Sequence, residues 1–282
     1  QLIQNAAGGN INGALDATSG RPKTNRSNIM GDIINSAPAP LEYNWADVKD
    51  TLDSYSRLKA VKDLGGNRFR LILVGTNQGW LHAFGEVTRT TTVTDFNGDT
   101  QTIVLGDIEE LWAFMPTDFL KELGYVYGNA VGSNRHRFMM DGTPAVYHLD
   151  MPKSTGGSGN GVVDSTERAI AVFGLRKGGR SYYALDIHDP FKPAMKWSLV
   201  PDEADYLKDR TITSGPSLST IQKNLKNWGF STATPAFGRI TLDAIPRDAV
   251  FLSGGWSVPE VEANFPDTSS NPTPLGRSVM AV

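Results

Sequence analysis

The residues best suited to chemistry in this chain lie in a glycine-rich loop, Gly156-Gly157-Ser158-Gly159-Asn160-Gly161-Val162-Val163-Asp164-Ser165-Thr166-Glu167. Calcium takes about six to eight oxygens, and loops that bind it offer them at alternate positions, with glycine sixth and an acidic residue twelfth. Counting from Gly156 puts Asn160 at position 5, Gly161 at 6, the Val162 carbonyl at 7, Asp164 at 9 and Glu167 at 12. The first half departs from the pattern, since position 1 is Gly156 and position 3 is Ser158. A degenerate loop that opens a strand without metal accounts for the same residues. A second run, Asp95-Phe96-Asn97-Gly98-Asp99, puts Asp95, Asn97 and Asp99 at positions 1, 3 and 5, but position 6 is Thr100 and position 12 is Gly106. A plain hairpin turn explains its Asn97-Gly98 step equally well.

Other chemistries find no foothold. The histidines (His82, His136, His148, His188) are far apart and lack metal-type spacing, which assigns them structural roles. No Gly-x-Ser-x-Gly elbow, phosphate loop or dinucleotide fingerprint occurs. Glu109 and Glu110 would point to opposite faces of a strand, so they do not form an acid/base pair. The chain has no cysteine, which excludes thiol catalysis and thiolate metal sites. Charge is nearly balanced, 27 basic against 30 acidic residues, and the densest basic run is Arg135-His136-Arg137, so nucleic acid is not an expected partner. No apolar run is long enough for a membrane span. The reading is a protein that is not an enzyme.

The elements that must hold these loops come as a repeat. The 29 glycines and 16 prolines among 282 residues make about 16%, above the roughly 12% of average usage. They punctuate a series of short strands. A Pro-Ala step recurs at Ser36-Ala37-Pro38-Ala39, Gly142-Thr143-Pro144-Ala145 and Ala233-Thr234-Pro235-Ala236. An apolar run ending in Gly follows: Leu71-Ile72-Leu73-Val74-Gly75, Ile170-Ala171-Val172-Phe173-Gly174 and Val250-Phe251-Leu252-Ser253-Gly254. Then come the Gly-led runs that start at Gly79, Gly179 and Gly276, and the Trp strands around Trp112 and Trp197. Pro38 to Pro144 is 106 residues, Pro144 to Pro235 is 91, Gly79 to Gly179 is 100 and Gly179 to Gly276 is 97. Runs of this length, rich in Val, Ile, Phe, Tyr and Leu and bounded by Gly, Pro or Asn, are strands. Continuous apolar runs suit strands covered on both faces. Four strands per unit is the plan of a propeller blade, and a blade cannot bury its faces without neighbours.

The fold class is therefore all-β: a partial modified β-propeller of about three four-stranded blades with long insertions and a few short helices. Residues 1–29 form a lead-in, and 30–282 the propeller portion, with units at about 30–135, 136–230 and 231–282. A simple blade needs only about 40 to 50 residues, so half of each unit is insertion. Residues 88–105 read as an extra hairpin. Residues 47–64 read as a helix with Val48, Leu52, Tyr55, Leu58 and Val61 on one face. Residues 153–160 and 260–274 read as loops, and 202–226 as a helix or two. Trp112 and Trp197 read as blade-packing residues. The chain stops at Val282 inside a Gly-led strand, and its start, Gln1-Leu2-Ile3-Gln4-Asn5, has neither initiator Met nor signal-peptide character. Both ends suggest a piece of something longer.

Several motifs together resemble the PilY-type family of type IV pilus biogenesis and tip-adhesin proteins. They are Met30-Gly31-Asp32-Ile33-Ile34-Asn35-Ser36-Ala37-Pro38, then Leu73-Val74-Gly75-Thr76-Asn77-Gln78-Gly79-Trp80-Leu81-His82-Ala83-Phe84 with Glu110-Leu111-Trp112-Ala113-Phe114-Met115-Pro116. Met140-Asp141-Gly142-Thr143-Pro144 and Gly178-Gly179-Arg180-Ser181-Tyr182-Tyr183-Ala184-Leu185-Asp186 extend the match across residues 30–282. The resemblance implies a quinoprotein-like propeller of about seven blades, exported through the periplasm to the pilus tip and cell surface. There it would work with minor pilins, promote pilus assembly and mediate attachment to host or abiotic surfaces. It also implies calcium, because family members carry EF-hand-like loops in this propeller. Two alternatives share the blade repeat: a dehydrogenase using pyrroloquinoline quinone and calcium, and a ligand-free scaffold of a secretion complex.

Overall fold

In the computed structural model, residues 30–121, 123, 138–150, 159–201, 228–256 and 278–282 are described. The lead-in at 1–29, the insertions read at 202–226 and 260–274, Arg135-His136-Arg137 and positions 156–158 of the glycine-rich loop lie outside them.

The repeat folds as three antiparallel meanders. The first sheet is β1 (Ala39–Tyr43), β2 (Arg68–Gly75), β3 (Leu81–Thr94) and β4 (Thr100–Phe114), paired in that order. The second is β5 (Ala145–Leu149), β6 (Arg168–Gly174), β7 (Tyr182–Asp186) and β8 (Ala194–Leu199), again in chain order. The third comprises β9 (Ala236–Leu242), β10 (Ile245–Ser253) and β11 (Val279–Ala281), with β10 central. Every first strand begins at the residue after the repeated proline. Proline fixes φ and lacks an N–H, so it suits the mouth of a strand and not its interior. The all-β class expected from the sequence is the class observed.

Residue alternation assigns each face. On β6, Ala171 and Phe173 join a core shared with the first sheet, while Val172 joins a second core shared with the third. On β7, Tyr183 and Leu185 face the first core, and Tyr182 and Ala184 the second. Side chains on a strand point alternately to its two faces, so this division requires the second sheet to lie between the other two. That is the two-sided cover which its continuous apolar run predicts. The first sheet contributes Phe69, Leu71, Leu73, Leu81 and Val87 to the shared core. At the seam Phe114 meets Phe173 and Tyr183 edge-on, with centroids 6.0 and 5.9 Å away.

Two expectations are refined. The single helix read at 47–64 is three pieces: Trp45–Val48, a 3-10 turn at Thr51–Ser54 and Ser56–Asp63. Tyr55 breaks it with extended backbone, φ −117° and ψ 109°. The apolar face survives the break, because Val48, Leu52 and Leu58 are buried and Tyr55 and Val61 pack against them. The extra hairpin at 88–105 is not separate. It is the outward continuation of β3 and β4, paired without interruption from Gly85↔Glu109 to Thr94↔Thr100.

Tyr43 ties the first two sheets together. Its hydroxyl donates to the Ile187 carbonyl at 2.5 Å, and only 3% of the residue is exposed. Burial, reinforced by Asp186 and Asp189, pushes its phenol well above the ordinary tyrosine range. A phenol with a raised folded pKa contributes stability that is intact below its unfolded pKa of about 10 and is lost as pH climbs toward the folded value. Stability should therefore fall above about pH 10. Tyr43→Phe should lower stability at neutral pH by about 1–2 kcal/mol, since it leaves a buried carbonyl unpaired. It should also make the alkaline decline shallower, without abolishing it, because Tyr182 is raised by burial too. Denaturant midpoints at pH 8 and pH 11 for both proteins check this; parallel declines would refute it.

Candidate metal centre

The described part of the glycine-rich loop, residues 159–167, sits at the junction of the first two sheets. Val163 is 2% exposed and pairs with the end of β1: its N–H donates to the Glu42 carbonyl at 2.9 Å, and the Asn44 N–H donates to its carbonyl at 2.8 Å. The Ser165 N–H donates to Asp47 Oδ2 at 3.0 Å. Whatever changes this loop therefore acts on a contact between sheets.

Within the loop the oxygens already organise amides. Asn160 Oδ1 accepts from the Val162 N–H at 3.0 Å. Asp164 Oδ1 accepts from the Thr166 N–H at 3.0 Å and its hydroxyl at 2.7 Å. Glu167 folds back, so that its Oε2 accepts from the Asp164 N–H at 3.2 Å. These are hard oxygen donors of the kind calcium takes. The carboxylate missing from the start of the loop is supplied in space by Asp150, just after β5. Asp150 Oδ1 accepts from the Asn160 N–H at 3.0 Å, and Oδ2 from the Gly161 N–H at 2.7 Å. A Cβ at position 159 would fall 2.0 Å from Asp150 Cγ, so glycine there is what lets the carboxylate in. The donor set thus fits a divalent cation in kind.

One neighbour has different chemistry. His148 Nε2 lies 2.7 Å from Glu167 Oε2, and the two side chains are only 10% and 2% exposed. Among the described residues, His148, Asp150 and Glu167 form a trio whose ligand atoms lie within 4.8 Å of one another. His148 and Asp150 were not legible as site residues, being separated from Glu167 by 19 and 17 positions. The signal was strand pairing, since the register His148↔Ala169 sets the β5 histidine beside the residues that open β6.

The second loop candidate is an exposed hairpin tip. Asp95 Oδ1 accepts from the N–H groups of Asn97 and Asp99 at 2.9 and 3.0 Å, as a turn-capping aspartate does. Trp112 and Trp197 are packing residues. Trp112 Nε1 donates to the Pro190 carbonyl at 2.8 Å across the seam, and Trp197 is in the second core.

No family model matches the chain. Among curated proteins, it is 26% identical over 181 residues to the type IV pilus biogenesis factor PilY1 of Pseudomonas aeruginosa strain PAO1, covering 63% of the chain and 13% of that protein. A PilY1 homolog of Xylella fastidiosa is 29% identical over 177 residues, covering 60% of the chain and 10% of the homolog. The chain is related to the PilY-type family. It spans only a small part of the length of these PilY-type relatives. A crystal structure of the Pseudomonas aeruginosa PilY1 C-terminal domain aligns with 67% of the chain and 26% of that domain, at a TM-score of 0.35 and 20% identity. No helix among the described residues is long and apolar enough to cross a membrane.

Proposed function

We propose that this chain is part of a type IV pilus biogenesis factor. The observation that carries the reading is the PilY1 identity over 181 residues, supported by the three-sheet repeat. In this reading the three sheets are neighbouring blades of a larger propeller. The parent protein is exported through the periplasm to the cell surface and pilus tip, engages minor pilins and promotes assembly and attachment, with no catalytic step. The loop bearing Asn160, Val162, Asp164 and Glu167 holds calcium and stiffens the junction between the first two blades.

The test is deletion of the gene in its host, with surface pili counted by electron microscopy and twitching scored on agar. Loss of surface pili and twitching, restored by the full-length gene, is the expected outcome. Normal piliation and twitching in the deletion strain would remove the reading.

A further inference from the structure

We propose that His148, Asp150 and Glu167 form a binding site for a transition-series divalent cation, with Zn2+ as the first candidate. This goes beyond the pilus reading and does not depend on it. Zinc bonds imidazole nitrogen and carboxylate oxygen at about 2.0–2.2 Å, and three protein ligands leave a fourth position for water. A tetrahedral arrangement with those bonds spaces its donors about 3.3 Å apart. The donors here lie within 4.8 Å of one another, and His148 Nε2 and Glu167 Oε2 are already 2.7 Å apart. Binding would part the His148–Glu167 pair slightly and draw an Asp150 oxygen inward. One neutral imidazole and two carboxylates balance a doubly charged ion within a largely buried site. A histidine also selects the metal class: calcium and magnesium take oxygen ligands, whereas imidazole suits zinc and its neighbours.

The supporting contacts are in place. The Asn160 and Gly161 amides orient Asp150, and the Asp164 amide orients Glu167, which is how outer contacts fix ligands around a metal. Glu167 and Asp150 belong both to this trio and to the calcium loop, so the two cations compete for them. His148 belongs to the first site alone and Asp164 to the second alone.

The experiment titrates CoCl2 into the metal-stripped chain and follows the visible absorption of four-coordinate Co2+, then displaces it with ZnCl2. One equivalent should develop the band and Zn2+ should remove it. His148→Gln should weaken Co2+ binding at least about tenfold, and Asp164→Asn should leave it unchanged. Asp150→Asn, which keeps an oxygen for the loop amides, serves as a second variant should His148→Gln fail to fold; it too should weaken binding. Three outcomes overturn the proposal: no band in the parent, equal Co2+ affinity in the parent and a folded His148→Gln or Asp150→Asn variant, or displacement of Co2+ by equimolar Ca2+. A failed pilus assay leaves all of them untouched.

Discussion

Phe173→Ala should lower stability by about 3–5 kcal/mol, the range for emptying a buried phenylalanine site. Phe173 is fully buried on β6, stacked on Tyr183 with centroids 5.8 Å apart and met edge-on by Phe114 of the first sheet. The large value follows from where the ring sits. Its neighbours belong to two different sheets, each held by its own strand ladder, so the gap cannot close by shifting one side chain. Aromatic contacts of this geometry add about 0.5–1.5 kcal/mol beyond area burial, and two are lost together. Chemical denaturation of the parent and the variant measures the difference. Phe96→Ala is the matched control, since Phe96 is 97% exposed at the hairpin tip and should change stability by no more than about 0.5 kcal/mol. A Phe173→Ala loss as small as the control's would mean that the first two sheets do not pack face to face.

The stacking itself was legible, because it is written in period. Short apolar runs bounded by glycine suit strands covered on both faces, and β6 and β7 divide their side chains between two cores accordingly. What the period could not show is local geometry. In the first sheet the register slips between Ala83 and Phe84, opposite Trp112 and Glu110. In the second it slips at the same repeat position, between Ala184 and Leu185, opposite Trp197 and Met195. A bulge inserts one residue and re-aims the strand after it, and neither Leu111 nor Lys196 carries a sequence mark of that role. The helix at 47–64 shows a related blindness. Spacing located the buried face of Val48, Leu52 and Leu58, but an extended Tyr55 keeps the apolar stripe while breaking the hydrogen-bond ladder.

The candidate metal centre divides along the same line. Asn160, Asp164 and Glu167 lie in one loop, where ligand spacing is a property of the sequence. His148 and Asp150 arrive by strand pairing across residues 151–158, a distance that spacing rules do not reach. Spacing along the chain offers His148 only a structural role, and its 2.7 Å contact with Glu167 across β5 and β6 is compatible with that role. The carboxylate that the loop lacks at position 1 enters through space at Gly159, whose missing side chain is a mark that could have been read only with its partner in view.

Gly142 should prove equally intolerant of change. It stands between Asp141 and Thr143, just ahead of β5, and a Cβ there would lie 2.0 Å from the Gly174 carbonyl oxygen and 3.0 Å from its carbon. Both obstacles are backbone, so no rotamer can relieve them, and Gly174 is the last residue of β6. The neighbouring contacts resist a compensating shift. Asp141 is buried, with both carboxylate oxygens accepting from Asn35 Nδ2 at 2.9 and 3.0 Å, and Arg176 Nη1 stands 3.7 Å away. Moving the chain away from Gly174 would pull this buried carboxylate from its partners, leaving a charge uncompensated. Overpacking usually costs about 1–3 kcal/mol, and Gly142→Ala should reach or exceed the top of that range. Because the first carbon added meets backbone, Gly142→Val should lose little more than Gly142→Ala. A loss that instead grows steadily from Ala to Val, starting below about 1 kcal/mol, would mean that this approach yields like an ordinary side-chain contact. Denaturant midpoints for the two variants separate these outcomes.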